Sequence, residues 1–221
     1  KDIIEANGIE AARENLFKVR NNDGLVGIID KKNNVIIPFI YTYLTFSDEF
    51  IIAAKDVKGK SYSGLLNYDG SILLNFKYHL LSRYKNLRHD LLIAWTEEKI
   101  YNYKFSMYKT KTFQGIIDVK GKIILPLLYE FISPINGTDY LTIANRNYSS
   151  EGVINSNGEI VIPCEYDEIP HDFFNDNDKF ITVKKNYLYG VVDFNNRTVL
   201  PIEFERVVIQ PHKNDYYFAV S

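Results

Sequence analysis

The sequence predicts an all-β fold. Its form is an array of five four-stranded β repeats, an open twisted β-solenoid or a propeller-like toroid, with a short N-terminal helix. Three observations carry this reading. Residue types that suit a pleated, half-buried surface dominate, with 17 Tyr and 14 Phe among many Ile, Val and Thr but a single Met and a single Trp. A glycine-led pattern recurs five times with its internal spacing held constant. Turn-forming Gly, Asn and Pro fall at the same places in the copies. The 221 residues, 46% of them hydrophobic, suffice for one large repeat domain or at most two small ones, and are too apolar for intrinsic disorder.

At the start, Asn7-Gly8-Ile9-Glu10 sets a capping side chain three residues before a carboxylate, ahead of Ala11-Ala12-Arg13. That arrangement predicts a short helix over residues 2–14, making residues 1–14 an N-terminal cap on a single repeat domain of residues 15–221. Leu16-Phe17-Lys18-Val19, followed by Asn21-Asn22-Asp23-Gly24, reads as the fourth strand of a preceding repeat. The five repeats then begin near Gly27, Gly64, Gly115, Gly152 and Gly190, each opening Gly-apolar-apolar-Asp/Asn. Six residues after each Gly comes Asn33, Gly70, Gly121, Gly158 or Asn196. Eleven residues after it comes Pro38, Asn75, Pro126, Pro163 or Pro201, and three beyond that an aromatic ring, Tyr41, Tyr78, Tyr129, Tyr166 or Phe204.

Each fixed position has a physical reason. Asp or Asn at a first corner, followed three residues later by Gly or Asn, describes a type I turn closed by a left-handed residue, which makes a three-residue hairpin loop. Positive φ is therefore expected at Asn33, Gly70, Gly121, Gly158 and Asn196. Proline cannot donate to a ladder, so it ends or kinks the second hairpin arm and belongs at an edge or bulge. The ring three places on opens a third strand. A fourth follows a variable loop, at Phe50–Ala54, Leu91–Trp95, Tyr140–Ala144, Phe180–Lys184 and Tyr216–Val220. The last repeat thus owns its fourth strand, ring closure is not demanded, and the open form is favoured. Stacked neighbours bury the core, with the repeated rings between them.

With these positions in place the chain resembles the WG-repeat (KWG) proteins found widely in bacteria. Gly152–Glu168, GVINSNGEIVIPCEYDE, carries nearly all of that family's pattern, and the resemblance covers residues 15–221. The name-giving Trp is replaced in all five copies, by Val26, Ser63, Gln114, Glu151 and Tyr189. The resemblance implies an all-β repeat array serving protein interaction, with no catalytic residues to carry over.

Charge and composition narrow the function further. A net charge of −2 offers no general attraction to nucleic acid or anionic lipid. No run approaches 18 apolar residues, and no basic-then-apolar leader opens the chain, so no membrane association and a cytoplasmic location are expected. The single cysteine, Cys164, fills a slot occupied elsewhere by Phe39, Phe76, Leu127 and Ile202, which makes it a packing residue and not a nucleophile served by His171. His79, His89, His171 and His212 lack metal-ligand spacing, so no metal or other cofactor is expected. Gly59-Lys60-Ser61 lacks the first Gly and the following helix of a phosphate loop.

Two departures from regularity remain. The glycine spacings are 37, 51, 37 and 38, so the second repeat holds an insertion, Lys99–Lys111, with Tyr101, Tyr103, Phe105 and Tyr108 among lysines; an extended hairpin is expected. Residues 151–178 hold eight carboxylates and no Lys or Arg. Such a block speeds encounter with a basic partner. Asp167, Glu168, Asp172, Asp176 and Asp178 are accordingly the candidate partner-binding residues, expected on one exposed face. The function expected is a non-catalytic protein-interaction module, in its sharpest form an immunity protein that neutralises a secreted bacterial toxin such as a basic nuclease domain. The alternative is a surface or periplasmic scaffold or ligand-binding repeat protein.

Overall fold

The computed structural model describes residues 9–13, 15–170, 179–212 and 215–221. Apart from one short 3-10 turn at Arg146–Tyr148, their regular secondary structure is antiparallel sheet. The first sheet joins β1 (Ile9–Arg13), β2 (Leu16–Arg20), β3 (Val26–Asp30) and β4 (Val35–Tyr41). The second joins β5 (Tyr43–Phe46), β6 (Ile51–Val57), β7 (Lys60–Leu66) and β8 (Ile72–Tyr78). The third holds β9 (Leu80–Ser82), β10 (Leu91–Asn102), β11 (Met107–Asp118) and β12 (Ile123–Tyr129). The fourth joins β13 (Phe131–Pro134), β14 (Leu141–Ala144), β15 (Glu151–Ile154) and β16 (Ile160–Tyr166). A three-stranded sheet of β17 (Phe180–Lys185), β18 (Leu188–Asp193) and β19 (Thr198–Phe204) follows, then a two-stranded one of β20 (Val207–His212) and β21 (Asp215–Val220).

The sheets are offset by half a repeat from the sequence units. Each full sheet takes its third and fourth strands from one copy of the pattern and its glycine hairpin from the next. This offset explains the one expectation that fails at the N-terminus. Residues 2–14 were expected to be helical, but Ile9–Arg13 is strand β1, paired with Leu16–Arg20 from Ile9↔Val19 to Arg13↔Leu16. The position belongs to a third strand, and its β2 partner supplies ladder hydrogen bonds that outweigh a weak local capping signal. The rest of that expectation, residues 2–8 and Glu14, lies outside the described residues.

All five hairpin turns form as expected. Asn33, Gly70, Gly121, Gly158 and Asn196 have φ of 62°, 85°, 85°, 79° and 60°. At the first corner the Asp30 carboxylate accepts from the Lys32 and Asn34 amides at 2.7 and 2.9 Å, and Asp193 from Asn195 and Arg197 at 2.9 and 2.8 Å. Hydrogen bonds from Asn34, side chain and backbone, hold the Asp30 carboxyl below the usual carboxylate range, and the Arg197 amide does so for Asp193.

The repeated Gly and Pro turn out to be two halves of one device. Across β3 and β4 the register runs Val26↔Tyr41, then Ile28↔Ile37, then Ile29↔Val35, a bulge that leaves Gly27 facing the backbone of the outer strand. The same shifts recur in β7–β8, β11–β12, β15–β16 and β18–β19. A Cβ on Gly27, Gly64, Gly115, Gly152 or Gly190 would stand only 2.7, 2.6, 2.6, 2.5 or 2.8 Å from a carbonyl oxygen of Ile37, Leu74, Leu125, Ile162 or Leu200. Pro38, Pro126, Pro163 and Pro201 sit within these bulged strands, each at the end of its sheet order, where a missing N–H costs nothing and discourages further pairing. The bulge also returns the chain to the ladder, so Tyr41, Tyr78, Tyr129, Tyr166 and Phe204 close the second arm and do not open the third strand as expected.

The chain divides into two compact units. One comprises the described residues up to Ser82 with Ala94–Thr96 and Val119–Lys122, the other Arg83–Ile93, Glu97–Asp118 and Ile123–Ser221. In the first, Val26, Ile28, Ile37, Tyr41, Leu44, Ile51, Ala53 and Leu66 form the core. There the Tyr41 ring stacks on Phe76 at 5.7 Å, and the Gly121 turn lies against Leu74. In the second, Val153, Ile162, Tyr166, Ile169, Ile181, Val183 and Val192 are buried together. The Gly158 turn there lies on Ile116 and Ile124, and the Tyr166 hydroxyl donates to Asn196 Oδ1 at 2.8 Å. The Gly70, Gly121, Gly158 and Asn196 turns therefore each seat on the preceding repeat. Tyr41, Tyr78 and Tyr166 are buried as expected, whereas Tyr129 and Phe204 are half-buried.

Candidate functional site

The acidic stretch follows β16 directly. Asp167 and Glu168 are exposed, yet both are tied to the next sheet. Glu168 forms a bridge with Lys184, and the Asp167 amide donates to the Lys184 carbonyl at 2.9 Å. The Asp167 carboxylate accepts from the Asn186 amide at 2.7 Å, and Glu168 Oε2 lies 3.0 Å from Lys184 Nζ. Glu168 raises the Lys184 ammonium above its ordinary value, with a further contribution from Tyr189. Asp172, Asp176 and Asp178, with His171, lie outside the described residues. The structure thus brings two of the five candidate carboxylates together and gives both an intramolecular partner.

The inserted segment forms the extended hairpin that its sequence predicts, with β10 and β11 each twelve residues long. At its tip Tyr103 is 86% and Phe105 58% exposed. The Tyr101 ring meets Tyr103 and Tyr108 edge-on at 4.9 and 5.1 Å, and the ammoniums of Lys104 and Lys109 stand 5.7 and 5.5 Å from the Phe105 centroid. The base is braced: Arg146 pairs with Glu98 at 2.9 Å and lies 4.3 Å over Phe113, and Lys111 pairs with Glu130 at 2.9 Å.

Two further aromatic tips escape a reading of the sequence. In the β14–β15 connection Tyr148 is 59% exposed at φ 51°. At the β17–β18 turn Tyr187 is 88% exposed at φ 68°, beside Asn186 at φ 52°. The equivalent turn between β6 and β7 is Lys58–Gly59, with φ 56° and 77°. Setting Lys-Asn-Tyr-Leu beside Val-Lys-Gly-Lys would have exposed the exchange of Gly for Tyr.

Three of the residues that directly precede a repeated Gly have defined surroundings. Gln114 Oε1 accepts from the Ile132 amide at 3.0 Å, Glu151 Oε2 accepts from the Ile169 amide at 2.7 Å, and Val26 is buried in the first core. Both hydrogen bonds pin the third residue after the repeated ring, so the two polar side chains serve the same joint. Cys164 is half-buried with its Sγ 3.9 Å from the Ile143 carbonyl. Burial first, then the nearby Glu151 charge, pushes its thiol up to about 11, so little nucleophilic thiolate exists near neutral pH. Among the described residues no group of three His, Cys, Asp or Glu could hold a metal ion, and no helix is long and apolar enough to cross a membrane.

The bulged hairpins, seated turns and exposed connections define a β-repeat scaffold. The pattern of the WG containing repeat matches residues 27–58, 115–141 and 152–189. The second repeat, with Asn75 for Pro and the long hairpin, and the fifth, from Gly190, fall outside the match. No curated protein matches the chain. Among solved structures the chain is similar to a eukaryotic initiation factor, at 13% identity and a TM-score of 0.48 over 90% of this chain and 54% of that one. It is also similar to Kluyveromyces lactis Hsv2p at 12% identity and a TM-score of 0.35, over 90% of this chain and 67% of that one. A Dos1 propeller follows at 12% identity and 0.32, over 93% and 62%. The chain spans about half the length of the initiation-factor chain.

Proposed function

We propose that the whole chain is a WG-repeat protein of bacterial type, acting as a non-catalytic protein-interaction module. Its sharpest form is a cytoplasmic immunity protein that binds and neutralises a secreted toxin. One observation carries the interaction reading: the repeated glycines build the strand joints, while residues that differ between repeats, among them Tyr103, Tyr148 and Tyr187, lie exposed in the connections. The regular positions build joints, as the five glycine contacts with backbone oxygens illustrate. The connections hold exposed aromatic rings and the start of the acidic stretch. Conformationally fixed loops on a rigid scaffold are a common way to present a binding surface. The eight carboxylates of residues 151–178 favour a basic toxin domain, a nuclease for instance.

The test is co-purification with the product of the adjacent gene in the native operon, followed by association kinetics of an Asp172→Lys/Asp176→Lys/Asp178→Lys variant. A toxin partner whose association slows in the variant, and slows further with salt, supports the reading. Recovery of the chain alone, or a catalytic activity that survives purification, overturns it.

A further inference from the structure

We infer that the aromatic tips of the β10–β11, β14–β15 and β17–β18 connections form a docking surface for an acidic protein segment with apolar side chains. This deepens the interaction reading and rests on it, though not on its toxin form. All three connections belong to the second unit and join the same pair of strand positions in consecutive sheets. Each presents a ring to solvent: Tyr103 and Phe105, Tyr148, and Tyr187. The corresponding connections of the first unit, Asn21–Gly24 and Lys58–Gly59, carry no ring.

Backbone conformation is the second observation. Tyr148 and Tyr187 hold φ of 51° and 68°, a left-handed conformation in which Gly59 sits without strain at the turn equivalent to Tyr187. The Tyr148 ring rests on Phe131 at 5.8 Å yet stays 59% exposed, and Tyr187 is 88% exposed, so packing accounts for little of either ring. Such an outlier points to a use for the ring itself. Both loops are fixed by their surroundings: the Asn145 side chain accepts from the Ser150 amide at 3.0 Å, and Asp167 accepts from the Asn186 amide at 2.7 Å. The rings are therefore presented with little ordering left to lose on binding.

Charge selects the occupant. Residues 99–117 hold four lysines and no carboxylate, in a chain that is negative overall. An aromatic hairpin tip with the Lys104 and Lys109 ammoniums 5.7 and 5.5 Å from its Phe105 ring suits an acidic surface with apolar side chains to insert. A stacked single strand of nucleic acid fits less well. Tyr101 is already engaged edge-on with Tyr103 and Tyr108, and the Lys104 and Lys109 ammoniums stand over Phe105, so two rings of the cluster are taken up by neighbours before a base could stack on them.

The experiment titrates the full chain with a random glutamate–tyrosine copolymer, with single-stranded oligothymidylate and with phosphatidylserine vesicles. Two variants accompany it, Tyr103→Ala/Phe105→Ala and Tyr187→Gly; the second can keep the turn conformation while removing the ring. Wild type should bind the copolymer, and each variant should lose about tenfold or more in affinity with an unchanged circular dichroism spectrum, as expected for interfacial aromatic anchors. Equal binding by the variants overturns the proposal, as does preference for oligothymidylate or vesicles. A native partner captured equally by wild type and variants sinks this surface alone. Copolymer binding without any native partner sinks the interaction function and leaves the surface standing.

Discussion

Replacing Gly152 by Ala tests the joint on which every repeat depends. The new Cβ would stand 2.5 Å from the Ile162 carbonyl oxygen and 2.8 Å from Pro163 C and Cys164 N, all of them backbone atoms of β16. No side-chain rotation relieves such a contact, so β16 must move away from β15. Overpacking of this kind costs about 1–3 kcal/mol. A weakened ladder hydrogen bond adds about 1 kcal/mol, while the stiffer unfolded chain returns about 0.5 kcal/mol. The net loss is about 1.5–3.5 kcal/mol, or a fall in Tm of about 3–14 °C for a chain of this size. Gly24→Ala is the control, because nothing lies within 4 Å of its Cβ and only its φ of 80° opposes the change. That conformation costs about 1 kcal/mol. Urea unfolding followed by circular dichroism measures both. A Gly152→Ala midpoint equal to wild type, or a smaller loss than Gly24→Ala, would refute the bulge argument.

Two further outcomes follow from the second unit. Tyr166→Phe removes the hydroxyl donated to Asn196 at 2.8 Å, and should cost about 1 kcal/mol in urea unfolding without changing the spectrum. The Cys164 thiol is raised from 9.0 to about 11, so iodoacetamide should label it slowly at neutral pH and quickly only as pH approaches that value. Because the folded thiol holds its proton more tightly than the unfolded one, the stability it contributes is complete below about 9 and is lost as pH rises through about 11. Rapid labelling at pH 7 would show that burial does not control this thiol.

Much of the scaffold was legible because the repeat copies one another. The turn at Asn33 or Gly158 declares itself through a local rule, an Asx corner followed three residues later by a residue that tolerates positive φ. The sheet offset was less legible, since strand partners are chosen across the chain and no local signal marks where a sheet ends. That is why Tyr41 and Tyr129 close one strand instead of opening another, and why Ile9–Arg13 pairs as β1 despite its helix-like capping pattern. Gly152 shows a third case: its recurrence was plain in the sequence, but its reason is a backbone approach visible only once the bulge is built. At the candidate site the lysine and tyrosine hairpin was readable as an insertion. Tyr148 and Tyr187 were not, because a single tyrosine in a strand-rich chain looks like a packing residue until its φ and exposure are known.

The central claim, that a packed repeat scaffold presents its connections to a protein partner, is tested most directly by hydrogen–deuterium exchange on the complex isolated from the native operon. The account predicts protection on binding at residues 101–108, 145–150 and 185–188 and along the acidic stretch of residues 165–178, with the glycine hairpins unchanged. Protection centred on the Asp30–Asn34 and Asn155–Glu159 turns, with those connections exchanging as in the unbound chain, would contradict it.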